Sequence, residues 1–154
     1  MAERNPHSVL ELERFLPYRL SVLSNIVSQA IAREYEERFQ LSITEWRVVA
    51  ILGRYDGIAA REVSQRTAMD KVAVSRAVAA LVKDGRVRRG IADHDKRESV
   101  LRLTARGWKI FDEVAPLALA HERRLLAHLE VREQEWLTRI LDKLLEAELE
   151  IASE

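Results

Sequence analysis

The stretch ADHDKRESVLRLTARG, residues 92–107, joins a charged turn to a segment in which apolar residues alternate. Its second half predicts a β-strand over Ser99–Leu103, and the segment VRRGI just upstream predicts a partner strand over Val87–Ile91. Residues 92–98 would form the charged tip of this hairpin. Because two strands alone are only marginally stable, the hairpin must pack on neighbouring helices.

Two short helices are predicted directly before the hairpin. The first covers roughly residues 59–66. The second opens at Asp70, a residue type that caps helix N-termini well. It ends before Gly85, which suits the position just after a helix.

The second of these helices has two contrasting faces. Val74, Val78 and Leu81 recur at helical spacing and are expected to face the core. The opposite face carries small side chains and two cations, which permits close approach to a large grooved partner. The residues expected on that outward side are Lys71, Val72, Ser75, Arg76 and Ala79.

A further helix begins in LSITEWRVVAILGRY, residues 41–55. Ser42 and Glu45 have the spacing of a capping box, in which each residue satisfies a main-chain N–H of the other. We expect this helix to end between Gly53 and Gly57.

Long helices are predicted at both ends of the chain. One covers residues 7–39, with the alternative that Leu10, Leu12 and Phe15, before Pro17, belong to a separate short turn or helix. Another opens at Thr104 and should kink or break at Pro116, because proline removes a helical hydrogen bond. The last, residues 131–152, carries an apolar stripe too rich for a lone surface helix.

Charge is unevenly distributed in a chain whose net charge is zero. Residues 59–108 hold 12 Lys or Arg against 6 Asp or Glu, a net of +6, and the remainder stands at −6. A basic middle on an acidic body favours contact with nucleic acid. Uneven charge also arises by chance, so this signal alone leaves the question open.

Other classes of protein are disfavoured by what the sequence lacks. It has no Cys, which excludes disulfides, thiolate metal sites and thiol redox switches. The N-terminus lacks a signal-peptide pattern, and no apolar run approaches the ~18 residues that a membrane span needs. We therefore expect a cytoplasmic protein without a membrane partner.

The order helix, helix, turn, helix, hairpin is that of a winged helix-turn-helix unit. We predict a mostly α-helical fold with a small two- or three-stranded β-wing. Residues 40–107 would form the DNA-binding lobe. The N- and C-terminal helices, residues 1–39 and 108–154, would form a dimerisation platform. Two-fold pairing is the usual way to strengthen recognition by a small module, although a monomer with folded-back helices is the alternative.

In a winged unit the outward face of the later helix, residues 70–84, enters the major groove. Val72 or Ala73 can touch a thymine methyl group, and Ser75 can contact base or phosphate. Arg76 or Lys71 can donate to guanine or to phosphate. Phosphate contacts should make binding strongly salt-dependent.

Three segments resemble the MarR family of bacterial transcriptional regulators. DKRESVLRLTARG is similar to the family's wing, with its Asp-x-Arg, Leu-x-Leu-Thr and Gly positions. MDKVAVSRAVAALVKDGRVRR resembles the recognition helix and following strand, and LSITEWRVVAIL the helix that opens the lobe. The resemblance extends over nearly the whole chain.

The resemblance implies roles for the wing residues. Arg97 would be the wing-tip arginine that reaches the minor groove. Asp95 would orient it or pair with Arg76, unless it is a turn residue that bonds its own backbone. Asp70 matches the acidic residue that opens the recognition helix and would tether Arg97 in turn. His94 and Lys96 complete the wing candidates. His94 is assigned no role beyond a phosphate contact.

One position departs from the family pattern. Ala59 stands where the family often has a Ser or Thr cap, which puts one phosphate contact in doubt but not the fold.

The resemblance also implies a small-molecule effector, bound between the dimer helices and the lobe. Such effectors are small aromatic or phenolic compounds, often carboxylates, free or as CoA thioesters. Tyr18, Arg19 and Trp46 are the candidate pocket residues, and Arg19 would pair with a carboxylate. The alternative is that Tyr18 and Trp46 are core aromatics and Arg19 a solvated charge.

The predicted function is therefore a dimeric, ligand-responsive regulator, a repressor, that binds palindromic promoter DNA through residues 70–84 and 92–98. The alternative is a winged-helix dimer that activates transcription or binds protein without small-molecule control. An enzyme is disfavoured because no nucleophile–base pair, phosphate loop or dinucleotide motif is visible. His121 and His128 can share a helix face, but they lack further ligands, so we expect no metal, cofactor or catalytic residue.

Overall fold

The computed structural model describes residues 10–92 and 99–152, which divide into two units. The first extends to Ala115 and the second begins at Pro116. Within the described residues the elements are, in chain order, α1 (Leu16–Ala32), α2 (Glu36–Phe39), α3 (Ile43–Arg54), α4 (Ala60–Thr67), α5 (Lys71–Lys83), β1 (Val87–Ile91), β2 (Ser99–Leu103), α6 (Ala105–Leu126) and α7 (Val131–Ile151).

The start of α3 and the end of α5 are set by local capping. The Ser42 hydroxyl accepts from the Glu45 N–H at 3.2 Å, and Glu45 Oε2 accepts from the Ser42 N–H at 2.7 Å. This confirms the predicted capping box of α3. After α5, Gly85 adopts a φ of +67°, the left-handed conformation that ends a helix at low cost.

The hairpin has the predicted strands. β1 and β2 pair antiparallel, with Val87 opposite Leu103 and Ile91 opposite Ser99. An isolated bridge between Ile58 and Leu101 extends the sheet on one side. The result is the predicted fold, mostly helical with a small two-stranded wing.

Thr104 anchors the hairpin to the helices on either side. Its hydroxyl accepts from the Gly107 N–H at 3.1 Å, which confirms the predicted cap of α6. The same hydroxyl donates to the Gly85 carbonyl at 2.7 Å. The end of the wing and the end of α5 are thereby held together.

The core of the first unit lies between α3, α4, α5 and the hairpin. Apart from Tyr35, its most enclosed residues are aliphatic, so burial of apolar surface drives this packing. These aliphatic side chains are Leu41, Val48, Val49, Leu52, Val63, Val74, Leu81, Val87, Val100, Leu101 and Val114.

A separate turn at residues 12–14 precedes α1, which confirms the alternative for that segment, but the prediction that the helix continues unbroken to residue 39 is wrong. α1 ends at Ala32, and α2 follows as a single turn. The reason is tertiary. Tyr35 is buried with its ring 5.8 Å from that of Trp46, and Gln40 takes a left-handed φ of 49°. Burial raises the pKa of Tyr35 to about 12, with the Glu36 carboxylate acting in the same direction.

Pro116 does not break α6, which continues through it to Leu126. α3 ends at Arg54, between Gly53 and Gly57, as predicted. Gly53 itself is in the helix, where the Phe111 ring occupies the space that a side chain would need.

The second unit contains the end of α6 and all of α7. The Gln134 side chain donates to the carbonyls of Leu126 at 3.0 Å and Leu129 at 3.1 Å, which ties α7 to the preceding turn. No residue of α7 is buried. None of the described helices is long and apolar enough to cross a membrane.

Candidate nucleic-acid interface

The outward face of α5 has the predicted composition. Lys71, Val72, Ser75 and Arg76 are exposed, and Ala73 is half-buried. Val72 has 56% of its surface exposed, which is high for an aliphatic side chain on a helix whose other face is packed. The inward prediction is confirmed as well, because the residues packed into the core are Val74, Val78 and Leu81.

Asp70 fixes the start of this helix. Its Oδ1 accepts from the Ala73 N–H at 2.9 Å, as the predicted N-cap requires. The second role implied for it, tethering Arg97, involves a residue outside the described part of the chain.

A depression of about 300 Å³ lies beside α5, where α4 and β1 approach it. Its described lining carries three cations, several hydroxyl or amide groups and no carboxylate. Such a surface suits a phosphate group, because cations and neutral donors both bind phosphate oxygens. The polar lining residues are Arg61, Ser64, Gln65, Lys71, Ser75 and Arg89.

Four of these residues were not among the predicted contacts. Arg61, Ser64 and Gln65 share one face of α4, opposite the buried Val63, and Arg89 is exposed on β1. The spacing i, i+3, i+4 of the α4 residues is a signal that the sequence does carry.

Several cations of the basic region are engaged within the chain. Arg86 is only 6% exposed. Arg102 Nη1 lies 2.6 Å from Asp56 Oδ2, and Arg106 Nη1 donates to the Asp84 carbonyl at 3.0 Å. The excess of positive charge counted from the sequence therefore overstates the charge available to a partner.

The predicted wing-tip contacts His94, Asp95, Lys96 and Arg97 lie outside the described residues. The strand that leads to them ends at Ile91, which is exposed, and it carries two exposed arginines, Arg88 and Arg89.

The three candidate effector residues are not brought to one place. Tyr18 and Arg19 line a shallow apolar groove whose described lining belongs entirely to α1. Trp46 is packed instead between Tyr35 and Phe111, with ring centroids 5.8 and 6.3 Å away.

The two histidines considered for a metal site lie in the second unit. His121 Nδ1 is 3.5 Å from the Arg124 guanidinium. Among residues 10–92 and 99–152, no three His, Cys, Asp or Glu side chains are grouped as metal ligands.

A capped helix with an exposed face of small and cationic residues, next to an antiparallel wing, defines a winged helix-turn-helix DNA-binding protein. Comparison with known proteins agrees. The sequence profile of the MarR family matches residues 39–98. The HTH-type transcriptional regulator BilQ of Clostridium symbiosum (strain WAL-14163) is 30% identical over 96 residues, which cover 62% of this chain and 67% of BilQ.

Solved structures extend the likeness to almost the whole chain. The MarR/EmrR family regulator from Acinetobacter sp. ADP1 is 25% identical and superposes with a TM-score of 0.81, covering 90% of this chain and 97% of its own. PcaV from Streptomyces coelicolor, crystallised in complex with its natural ligand, shares the fold at 19% identity. Its TM-score is 0.72, with 92% of this chain and 99% of PcaV covered. The chain belongs to the MarR family, whose members are transcriptional regulators.

Proposed function

We propose that this chain is a homodimeric, ligand-responsive transcriptional repressor that acts in the cytoplasm on a pseudo-palindromic operator. The observation that carries the proposal is the exposed face of α5 beside a depression with three cations. The face offers base contacts, and the depression offers phosphate contacts.

In the proposed complex the start of α5 lies in the major groove. Arg76 donates to a guanine or a phosphate, and Val72 meets a thymine methyl group. The depression beside it receives the adjacent phosphate backbone. The wing residues 92–98 follow the backbone to the minor groove, where Arg97 is inserted with its direction set by Asp95.

The proposed dimer rests on the apolar faces of the terminal helices. α1 exposes Leu16, Leu20, Leu23 and Ile26, and α7 exposes a longer row. Rows of exposed apolar side chains as long as these are unusual on a protein that stays monomeric, and they suit an interface. We assign residues 1–39 and 108–154 to a dimerisation platform and residues 40–107 to the DNA-binding lobe. The exposed apolar residues of α7 are Val131, Trp136, Leu137, Ile140, Leu141, Leu144, Leu145, Leu149 and Ile151.

The proposed effector is a small aromatic or phenolic carboxylate. The α1 groove offers an apolar floor, the Tyr18 ring and the Arg19 guanidinium, which can pair with a carboxylate. PcaV, which has this fold, was crystallised with its natural ligand. Since Trp46 is packed elsewhere, Tyr18 and Arg19 are the better candidates. Release from DNA requires that the ligand bind the DNA-incompetent arrangement more tightly.

The experiment that tests this function uses a duplex selected by the wild-type protein from a random library. Fluorescence anisotropy should show binding that weakens steeply with salt. Arg97→Ala should weaken it about tenfold or more, the size of one lost specific contact. Arg139→Ala, a change on the polar side of α7, is the matched control and should bind as the wild type does.

Two further observations decide between the alternatives. Release of the duplex by benzoate would support the effector, and no release by any aromatic carboxylate would favour control without a small molecule. If no duplex is enriched at low salt, the protein-interaction alternative replaces the DNA-binding proposal.

A further inference from the structure

Arg86 is a buried cation that lies between the end of α5 and the start of β1. Only 6% of its surface is exposed. Its Nη2 donates to the Phe39 carbonyl at 2.5 Å, and its Nη1 lies 3.4 Å from the Gln40 carbonyl. Among the buried side-chain polar atoms of the described residues, Arg86 Nε alone has no partner.

The receiving carbonyls lie where the chain turns sharply after α2. Gln40 takes the left-handed φ of 49°, and its side-chain amide donates to the Glu37 carbonyl at 2.9 Å. α2 ends at Phe39, so the Phe39 and Gln40 carbonyls have no N–H of a following helical turn to accept from, and each needs a donor from elsewhere. A guanidinium supplies two N–H groups in a fixed plane, which suits two neighbouring oxygens.

The main chain of Arg86 is engaged on the other side. Its N–H donates to the Leu81 carbonyl at 2.9 Å, which closes the end of α5. Its carbonyl accepts from the Thr104 N–H at 3.1 Å and blocks any side chain at position 107. One residue therefore contacts α2, α5, the base of the wing and the start of α6.

We propose that Arg86 is a positioning residue for DNA binding. By holding the turn after α2 it fixes α5 and the wing relative to the α1–α2 segment, without contacting DNA itself. The inference rests on the proposed DNA-binding function. The proposed role of Arg86 therefore differs from that of its neighbours Arg88 and Arg89, which are exposed on β1.

Because Arg86 is buried, its proposed effect on DNA binding can be measured apart from its effect on stability. A buried charge gains little net stability, because the cost of removing it from water offsets its hydrogen bonds. Arg86→Met keeps the length of the side chain and removes that cost. The change also leaves the Phe39 and Gln40 carbonyls without their donor, so we expect a small fall in melting temperature at most, together with weaker DNA binding.

The test measures operator affinity across a range of salt concentrations, with the duplex selected by the wild-type protein. Arg86→Met should lower affinity about tenfold, the size of one lost charge-assisted hydrogen bond. The slope of log affinity against log salt should not change. Arg89→Met, a proposed phosphate contact, should instead reduce that slope by about 0.9.

Two matched variants complete the comparison. Arg106→Met removes an exposed arginine–carbonyl bond at the same end of α5 and should bind DNA as the wild type does. Arg86→Lys keeps the charge but offers a single donor group, so its affinity should lie between those of Met and Arg. If Arg86→Met fails to fold, Arg86→Lys takes its place in the comparison. We then expect Arg86→Lys to bind DNA more weakly than the wild type does.

Three results would overturn the inference. The first is wild-type affinity in Arg86→Met, or in Arg86→Lys where the Met variant is unfolded. The second is a reduced salt slope, which would make Arg86 a direct phosphate contact. The third is a lower melting temperature together with a smaller fraction of protein that can bind DNA in a stoichiometric titration. That result would make the role of Arg86 purely structural. If neither the wild type nor Arg106→Met binds any duplex, the DNA-binding proposal itself fails.

Discussion

α5 and α7 are both amphipathic, yet their apolar faces have different fates. α5 buries Val74, Ala77, Val78 and Leu81 within its own chain, whereas α7 buries nothing. Hydrophobic periodicity thus predicts that a helix has a face to cover, but not which surface covers it. For α5 the cover is α3, α4 and the hairpin, and for α7 we propose a second protomer.

The remaining faces of the two helices differ just as clearly. α5 presents small and cationic groups, the face that we propose enters a groove in DNA. The polar side of α7 alternates acids and bases, among them Glu135, Arg139, Asp142 and Lys143, as is ordinary for a solvated helix. In our proposal the functional surface of α5 is the face opposite the core, and that of α7 is its apolar face.

The largest expected effect concerns the apolar face of α7. Leu141→Asp would place an unpaired charge in the proposed dimer interface, at a cost of roughly 3–5 kcal/mol for each protomer. We expect a monomeric or unfolded protein by size-exclusion chromatography with light scattering.

The control for this change lies two residues away in the same helix. Lys143→Asp introduces the same side chain on the polar face of α7 and should leave the dimer intact. A folded, dimeric Leu141→Asp protein would contradict the platform.

A second prediction separates the two faces of α5. Leu81 is 0% exposed, so Leu81→Ala should lower the free energy of unfolding by about 2–5 kcal/mol in urea titration. Val72→Ala, on the exposed face, should change it by less than about 0.5 kcal/mol. Similar losses of unfolding free energy in both variants would mean that the exposed face of α5 contributes to folding as much as the buried face does.

The smallest effect concerns the turn before α5. Ala68 has a left-handed φ of 49°, which costs a residue with a Cβ roughly 1 kcal/mol. Ala68→Gly should raise the melting temperature and the free energy of unfolding by up to about 1 kcal/mol. Ala80→Gly, inside α5, should have the opposite effect, a loss of about 0.5–1 kcal/mol. A destabilised Ala68→Gly protein would show that this turn is not strained.

Features determined by neighbours in the sequence could be predicted well. The capping box of α3, the Asp70 cap and both strands of the hairpin arise from residues a few positions apart. Their hydrogen bonds are therefore encoded in short patterns. The outward face of α5 followed from the same periodicity that predicted its core face.

Features determined by distant contacts could not be predicted. The break between α1 and α2 depends on Tyr35 meeting Trp46, and the glycine at position 53 on its contact with Phe111. Arg86 looks like any other cation in the sequence of a basic strand. Its burial follows only from the approach of the turn after α2, which lies 46 and 47 residues away in the chain.

The aromatic packing of the first unit has a spectroscopic consequence. Trp46 is enclosed by Tyr35 and Phe111, and Trp108 meets Phe111 edge-on with centroids 5.5 Å apart. Trp136, by contrast, is 55% exposed on α7. The chain's own fluorescence therefore includes a contribution from Trp46, packed between two rings, and one from Trp136 on the face proposed to be covered by a second protomer.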